Sequence, residues 1–284
     1  MKQDSVITVL LAAAAIIRSN LLKVLAKALP YIYLRLDKNL YVHFPSDGFG
    51  ALEENLLTSR NIYFDIPSIT EADTIIDLGA HAGSFTIYAI LYSKPGARII
   101  AVEPSNNNFI FLLANLKFFE NVIKEKRLEI LALKKAVWSY RGMLKFVDVG
   151  WSEGGYITPS QNVHNKVYVE TIMLDDILNL SKGKILIKMD IEGAEVEVLN
   201  SSKELNRVHA LAMEVHGNEQ ALIKILNKHG FKAKIVIYKL NPQLCKYWLR
   251  IKPKPYGILA ALYRFLISST AAPTITLIKA VNAK

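Results

Sequence analysis

The chain has 284 residues, 51% of them hydrophobic, and a formal net charge of +10. That apolar content suits one large α/β domain with appendages, or two small domains. The single cysteine, Cys245, excludes an intrachain disulfide and fits a reducing compartment.

The N-terminal run Val6–Ile17 is about a dozen apolar residues, too short to span a bilayer. Asp4 before it, Arg18 after it and the lack of a convincing cleavage site argue against a signal peptide. Residues 1–30 therefore read as a helix that Pro30 stops, lying on a membrane or packed on the domain. Residues 31–70 form the lead-in. Tyr31–Arg35 and Leu40–Phe44 alternate about Asp37-Lys38-Asn39 as a β-hairpin. Ala51–Ser59 reads as a short helix, and Asn61–Ile66 leads to Pro67. A core over 71–240 follows. Its strands are expected at Thr74–Leu78, Arg98–Val102, Leu128–Leu133, Lys184–Met189, Ala210–Val215 and Phe231–Lys239. Its helices are expected at Ser84–Tyr92, Asn107–Phe119, Leu174–Leu180, from near Gly193, and at Glu219–His229. A strand pair, Met143–Val149 and Val167–Met173, interrupts the alternation. Residues 241–270 form an insertion in which Lys246, Arg250, Lys252 and Lys254 mix with Tyr247, Trp248 and Tyr256 before an apolar stretch. Residues 271–284 hold an antiparallel last strand, Thr274–Val281, and a tail. This alternation predicts an α/β fold with a doubly wound, mostly parallel sheet.

Charge is divided unevenly along these parts. Residues 220–284 carry twelve Lys/Arg and no acid, whereas residues 37–219 are mildly acidic. Basic ends attract phosphate on lipid headgroups or nucleic acid, or are plain solvated surface.

The most specific stretch is Ile75-Ile76-Asp77-Leu78-Gly79-Ala80-His81-Ala82-Gly83-Ser84. An apolar strand enters a glycine turn and then a helix. Gly79 and Gly83 admit a close backbone approach. The next strand ends in Glu103, placed to accept hydrogen bonds from both hydroxyls of a ribose. A pyrophosphate-binding turn uses G-x-G-x-x-G, whereas this turn has Asp77 just before Gly79-x-x-x-Gly83. A carboxylate there suits a cationic ligand, S-adenosylmethionine (SAM), with its ammonium and sulfonium. Asp77, Gly79, Ala80, His81, Gly83, Glu103, Ser105 and Asn106 are accordingly the cofactor candidates.

Ligands of an open parallel sheet bind beyond the carboxyl ends of its strands. There the fourth core strand offers Asp190 and Glu192, and the fifth offers Glu214 and His216. Methyl transfer needs alignment and a base for the acceptor's proton. His216, with an ordinary imidazole pKa near 6.5, is the first candidate, and Asp190 and Glu192 are the others. Asp190 is also a candidate cofactor contact. Each acid could instead order a loop. No metal is expected, although Asp190, Glu192, Glu214 and His216 form an alternative oxygen/nitrogen ligand set. Gly154-Gly155 reads as a hinge or a plain hairpin end, and His164 as a surface histidine.

The order of these pieces resembles the FkbM-like family of SAM-dependent methyltransferases. The resemblance rests on Ile76–Thr86, Ala101-Val102-Glu103-Pro104, Thr171–Leu178 and Leu186–Glu195, with Lys188-x-Asp190-x-Glu192-Gly193-Ala194-Glu195 the most specific block. It covers roughly residues 40–238 and implies a class I methyltransferase (Rossmann-like) fold. It also implies O-methylation of a hydroxyl on a sugar, glycan, glycolipid or secondary metabolite. Gly79, Ala80, Gly83 and Glu103 match its cofactor positions, and Lys135 and Ala136 should edge the adenine. His81 stands where the family commonly has Asn, and residues 241–270 lie outside its pattern. The expected protein is cytoplasmic and peripheral on the inner face of a membrane, touching it through 1–30 and 241–270. A nucleic-acid methyltransferase is the rival reading, disfavoured by the lack of a base-flipping motif or stacking platform. A non-catalytic membrane-associated scaffold is the third.

Overall fold

The computed structural model describes residues 31–37, 40–45, 55–56, 61–147, 156–157, 166–239 and 274–283. The expected helices over 1–30 and Ala51–Ser59 (apart from Asn55 and Leu56), Gly154-Gly155, His164 and the 241–270 insertion lie outside these residues.

Strands β1 (Tyr31–Asp37) and β2 (Leu40–Pro45) pair as the expected hairpin. Helix α1 (Ile66–Glu71) was not foreseen. Asp65 caps it by accepting the Ser68 N–H at 3.0 Å, and Pro67 sits in its first turn, where a missing N–H costs nothing. Then come β3 (Thr74–Leu78), α2 (Ser84–Tyr92), β4 (Arg98–Val102), α3 (Asn106–Phe118), α4 (Glu120–Glu125) and β5 (Glu129–Leu133). A small sheet is built from β6 (Ala136–Val137), β7 (Met143–Val147), β8 (Tyr156–Ile157) and β9 (Lys166–Ile172), in the order β6-β9-β7-β8. Helix α5 (Leu174–Asn179), β10 (Ile185–Met189), α6 (Glu195–Ser201), β11 (Val208–Glu214), α7 (Glu219–Lys228), β12 (Phe231–Lys239) and β13 (Thr274–Asn282) follow among the described residues.

Among the described residues the main sheet has seven strands in the order β12-β13-β11-β10-β3-β4-β5. The pairs among β5, β4, β3, β10 and β11 are parallel. Strand β13 enters between β11 and β12 and runs antiparallel to both. This is the class I methyltransferase arrangement. The sequence placed α6 from near Gly193, but it begins at Glu195. Glu192 (φ 52°) and Gly193 (φ 93°) are left-handed and cannot continue a helix.

The sheet is covered on both faces. One core gathers Val42, Phe44, Ile69, Ile75, Phe85, Ile87 and Ile99, and the other gathers Ile76, Ile100, Leu174, Ile187, Val198 and Leu222. Ser84 to Ile90 of α2 are buried without a break. Such a helix has no solvent face, which is why its sequence shows apolar residues all round. The hairpin is fastened through Asn115, which is 0% exposed. Its side chain accepts the His43 N–H at 2.7 Å and donates to the carbonyls of His43 and Ala82, each at 2.7 Å. Phe44 lies against His81, ring centroids 6.2 Å apart. The lead-in is thus tied directly to the glycine turn.

Candidate active site at the carboxyl rim of the sheet

The turn after β3 is held from two directions. The N–H groups of Gly79 and Ala80 both donate to the Val102 carbonyl at 3.0 Å, and Gly83 N–H donates to the Ala80 carbonyl at 2.8 Å. Gly79 has φ +73°, and a Cβ there would stand 1.8 Å from the Asp190 backbone oxygen. Gly83 has φ +92°, and its Cβ would meet Leu112 at 2.7 Å. Ala80 is buried against Ala101 and Leu112. His81 is buried and left-handed, with φ 52°.

Glu103 is 5% exposed. One carboxylate oxygen accepts the His81 N–H and the other the Ser105 N–H, each at 2.8 Å. Burial pushes its carboxyl up to about 7, although the two backbone bonds and Lys188 pull the other way. Each oxygen has a second lone pair, so the group that shapes the turn can also accept from a ligand. Ser105 caps α3, while Asn106 begins it, is exposed and takes a bond from Lys134. Lys135 pairs with Glu170 of the small sheet, and Ala136 is buried on β6.

Asp77, expected to meet the cofactor's cationic groups, is 0% exposed. It accepts from the Thr86 hydroxyl at 2.6 Å and lies 3.4 Å from the Lys188 ammonium. Burial raises its carboxyl, against the pull of Lys188 and Thr86. Lys188, part of the Lys188-x-Asp190-x-Glu192 block, has a role the sequence did not suggest. It stands in β10 opposite Asp77 and is 4% exposed. It donates to the Gly79 carbonyl at 2.7 Å, lies 3.6 Å from Asp190, and sits 5.5 Å from the Tyr63 ring centroid. A lysine inside Ile185-Leu186-Ile187-Lys188-Met189 was the available signal, because a buried ammonium must be paired. Tyr63 was also missed. Its hydroxyl donates to Glu214 at 3.4 Å, so the lead-in reaches the rim.

At and just beyond the ends of β10 and β11, Asp190, Glu192, Glu214 and His216 converge. His216 Nε2 is 3.4 Å from Glu192, and its Nδ1 is 3.3 Å from Glu195. Glu195 is 2% exposed and also accepts the N–H groups of Ile191 and Gly193. Burial would raise Glu195, but the His216 bond and the backbone bonds outweigh it and its pKa is lowered. The Glu195 bond drives His216 up to about 9; burial opposes this, and Asp190, Glu192 and Glu195 add to it. An ordinary imidazole was expected there, so the ligand-free site differs: it holds an imidazolium at neutral pH. Burial, then the Asp190 charge, lifts Glu192 to about 7 and Glu214 likewise to about 7.

These shifts carry a sign. A pKa raised in the folded state adds stability that is complete below the unfolded value and is lost as pH rises through the folded value. For His216 the loss runs from 6.5 to about 9. In chelator-containing buffer, the melting temperature of the ligand-free protein is expected to fall by about 3 °C from pH 6.5 to 9. His216→Gln should flatten that slope in a scanning-calorimetry series, and an unchanged slope would assign it elsewhere.

SAM, the ligand expected from the sequence, fits this rim. A buried acid ends β4, a glycine turn faces it, and carboxylates crowd the side where a sulfonium would be favoured. The methyltransferase FkbM domain matches residues 77–233, more than half of the chain. No curated protein matches. Among solved structures, the methyltransferase FkbM of Methylobacillus flagellatus KT is 15% identical with a TM-score of 0.44, covering 73% of this chain and 43% of that one. The precorrin-6y C5,15-methyltransferase of Geobacter metallireducens GS-15 is 11% identical with a TM-score of 0.43, covering 77% and 84%. A SAM-dependent O-methyltransferase of Thermotoga maritima is 13% identical with a TM-score of 0.39, covering 82% and 72%. The chain belongs to the FkbM family of methyltransferases, with S-adenosylmethionine as its methyl donor.

Proposed function

We propose that the chain is an O-methyltransferase acting on a hydroxyl of a sugar, a glycan or glycolipid, or a secondary metabolite. The observation that carries this reading is the cluster of Asp190, Glu192, Glu214 and His216 beside the glycine turn. The cofactor supplies a methyl carbon already activated on sulfonium, so the protein has to align an acceptor oxygen and take its proton. Gly79, Ala80, Gly83 and Glu103 hold the cofactor, with Ser105 and His81 fixed by Glu103. Lys188 joins Asp77, the Gly79 carbonyl and Asp190, so the cofactor turn and the acceptor side move as one piece. Glu192 is the better matched base near neutral pH, since a base works best with its pKa close to the working pH. His216 enters as an imidazolium that offsets charge on the cluster.

The acceptor is a glycan or a lipid-linked molecule approached at a membrane surface. Support comes from the basic charge of 220–284 and from the sequence of 241–270. No helix among the described residues is long and apolar enough to cross a membrane.

The test uses methyl-labelled SAM with a panel of sugars, lipid-linked glycans, polyhydroxylated aromatics and RNA. Label is expected on an oxygen of a polyhydroxylated acceptor. Glu192→Gln should lower kcat by about 100-fold or more while SAM affinity stays the same. Transfer to RNA alone, or none by a protein that binds no SAM, would overturn the reading.

A further inference from the structure

We propose that Asp190, Glu192 and His216 form a binding site for a divalent cation of the Mg²⁺/Mn²⁺ class on the acceptor side of the rim. One ligand atom from each lies within 4.8 Å of the others, a spacing that small side-chain rotations close around an ion. Asp190 and Glu192 are fixed by the end of β10, and His216 stands two residues past the end of β11, its parallel neighbour. The ligands therefore come from adjacent strand ends rather than from one mobile loop.

The surroundings of His216 point the same way. Glu195 binds its Nδ1 and is itself held by the Ile191 and Gly193 amides. That arrangement fixes the ring and turns Nε2 toward Glu192. A metal-ligating histidine commonly has this build, with a carboxylate on its far nitrogen setting tautomer and orientation.

Charge balance is a separate argument. Asp77, Asp190, Glu192, Glu195 and Glu214 surround two cationic side chains, Lys188 and His216. Lys188 is committed to Asp77, Asp190 and the Gly79 carbonyl. A divalent ion concentrates two positive charges where Asp190 and Glu192 face His216, and because His216 gives up its proton on binding the cluster gains one net charge. On binding, the Nε2 proton leaves to solvent and the freed lone pair takes the ion. Two carboxylate oxygens and one imidazole nitrogen favour Mg²⁺ or Mn²⁺ over thiolate-seeking metals. Three protein ligands leave positions open for water or an acceptor hydroxyl, whose proton the ion would make easier to remove. The site itself stands on geometry; its use on a hydroxyl rests on the reading under "Proposed function", and with the ion bound Glu192 and the deprotonated His216 serve as ligands, so the base and imidazolium roles given there belong to the ion-free site.

The experiment is a Mn²⁺ titration of the full chain, without SAM or acceptor, followed by electron paramagnetic resonance. One equivalent should bind with micromolar affinity and be displaced by Mg²⁺. His216→Ala and Glu192→Gln should each weaken binding at least tenfold, and Glu195→Gln about tenfold. Calorimetric SAM titration and a thermal melt of each variant check the fold. A folded, SAM-binding wild type with no saturable Mn²⁺ binding overturns the cation site and leaves methyl transfer standing. Mn²⁺ binding that survives both His216→Ala and Glu192→Gln places the ion elsewhere and overturns it too. Mn²⁺ binding lost in these variants, in a protein that binds no SAM, upholds the site and overturns the reading under "Proposed function".

Discussion

Glu103→Ala is expected to weaken SAM binding by about 100-fold or more, close to 3 kcal/mol. Two losses combine. The carboxylate that would accept from the cofactor's ribose hydroxyls disappears. The N–H groups of His81 and Ser105, each held at 2.8 Å by that carboxylate, are also left without an acceptor in a buried place. An unmet buried donor costs roughly 1–3 kcal/mol. The turn then shifts to find other partners, and the cofactor meets a displaced backbone. Calorimetric titration of the wild type and the variant measures this directly. A folded variant that binds within threefold of the wild type would take Glu103 out of the cofactor site.

Gly79→Ala is expected to be the most damaging single methyl in the described core. Its Cβ would lie 1.8 Å from the Asp190 backbone oxygen and 2.9 Å from its carbonyl carbon. No rotamer change relieves a clash with backbone, so β3 and β10 must separate at the rim. The positive φ adds strain of its own. The expected cost is about 4 kcal/mol or more, a fall of roughly 10 °C in melting temperature, with activity abolished. Gly193→Ala is the control. It has φ +93° but nothing within 4 Å of the added carbon, so strain alone should cost about 1 kcal/mol. Equal melting temperatures for the two variants would show that the approach of Gly79 to Asp190 does not limit stability.

Much of the core could be read from sequence because its strands are short, apolar runs closed by turn residues. The expected Thr74–Leu78, Ser84–Tyr92 and Arg98–Val102 match β3, α2 and β4 to the residue. The antiparallel last strand was also legible, since Thr274–Val281 alternates. Short helices that bury little were harder. Helix α1 has one buried residue, Ile69, and too little periodicity, though Asp65 and Pro67 did signal its start. Helix α4 has none buried.

At the site, residue types were legible and their partners were not. Asp190, Glu192, Glu214 and His216 were singled out as rim groups, and the structure brings them together. Nothing along the sequence shows that Glu195 would fasten His216 and convert it from a base into a cation. Asp77 and Lys188 are 111 residues apart, and only the register of β3 against β10 makes them a pair. Tyr63 reaches Glu214 across 151 residues.

The placement of β13 bears on how the molecule is made. Among the described residues strand β12 pairs with β13 alone, and β13 also closes the flank of β11. As the chain leaves the ribosome, β12 has no sheet to join until residues 274–282 have been synthesised. Until then the outer edge of β11 stays open, with the His216 loop at its end. Strand insertion between two waiting neighbours is a long-range event, and such pairings form late. Assembly of the rim is therefore tied to completion of β13, and a chain stalled inside 240–273 would present the β11 edge to other chains rather than a working site.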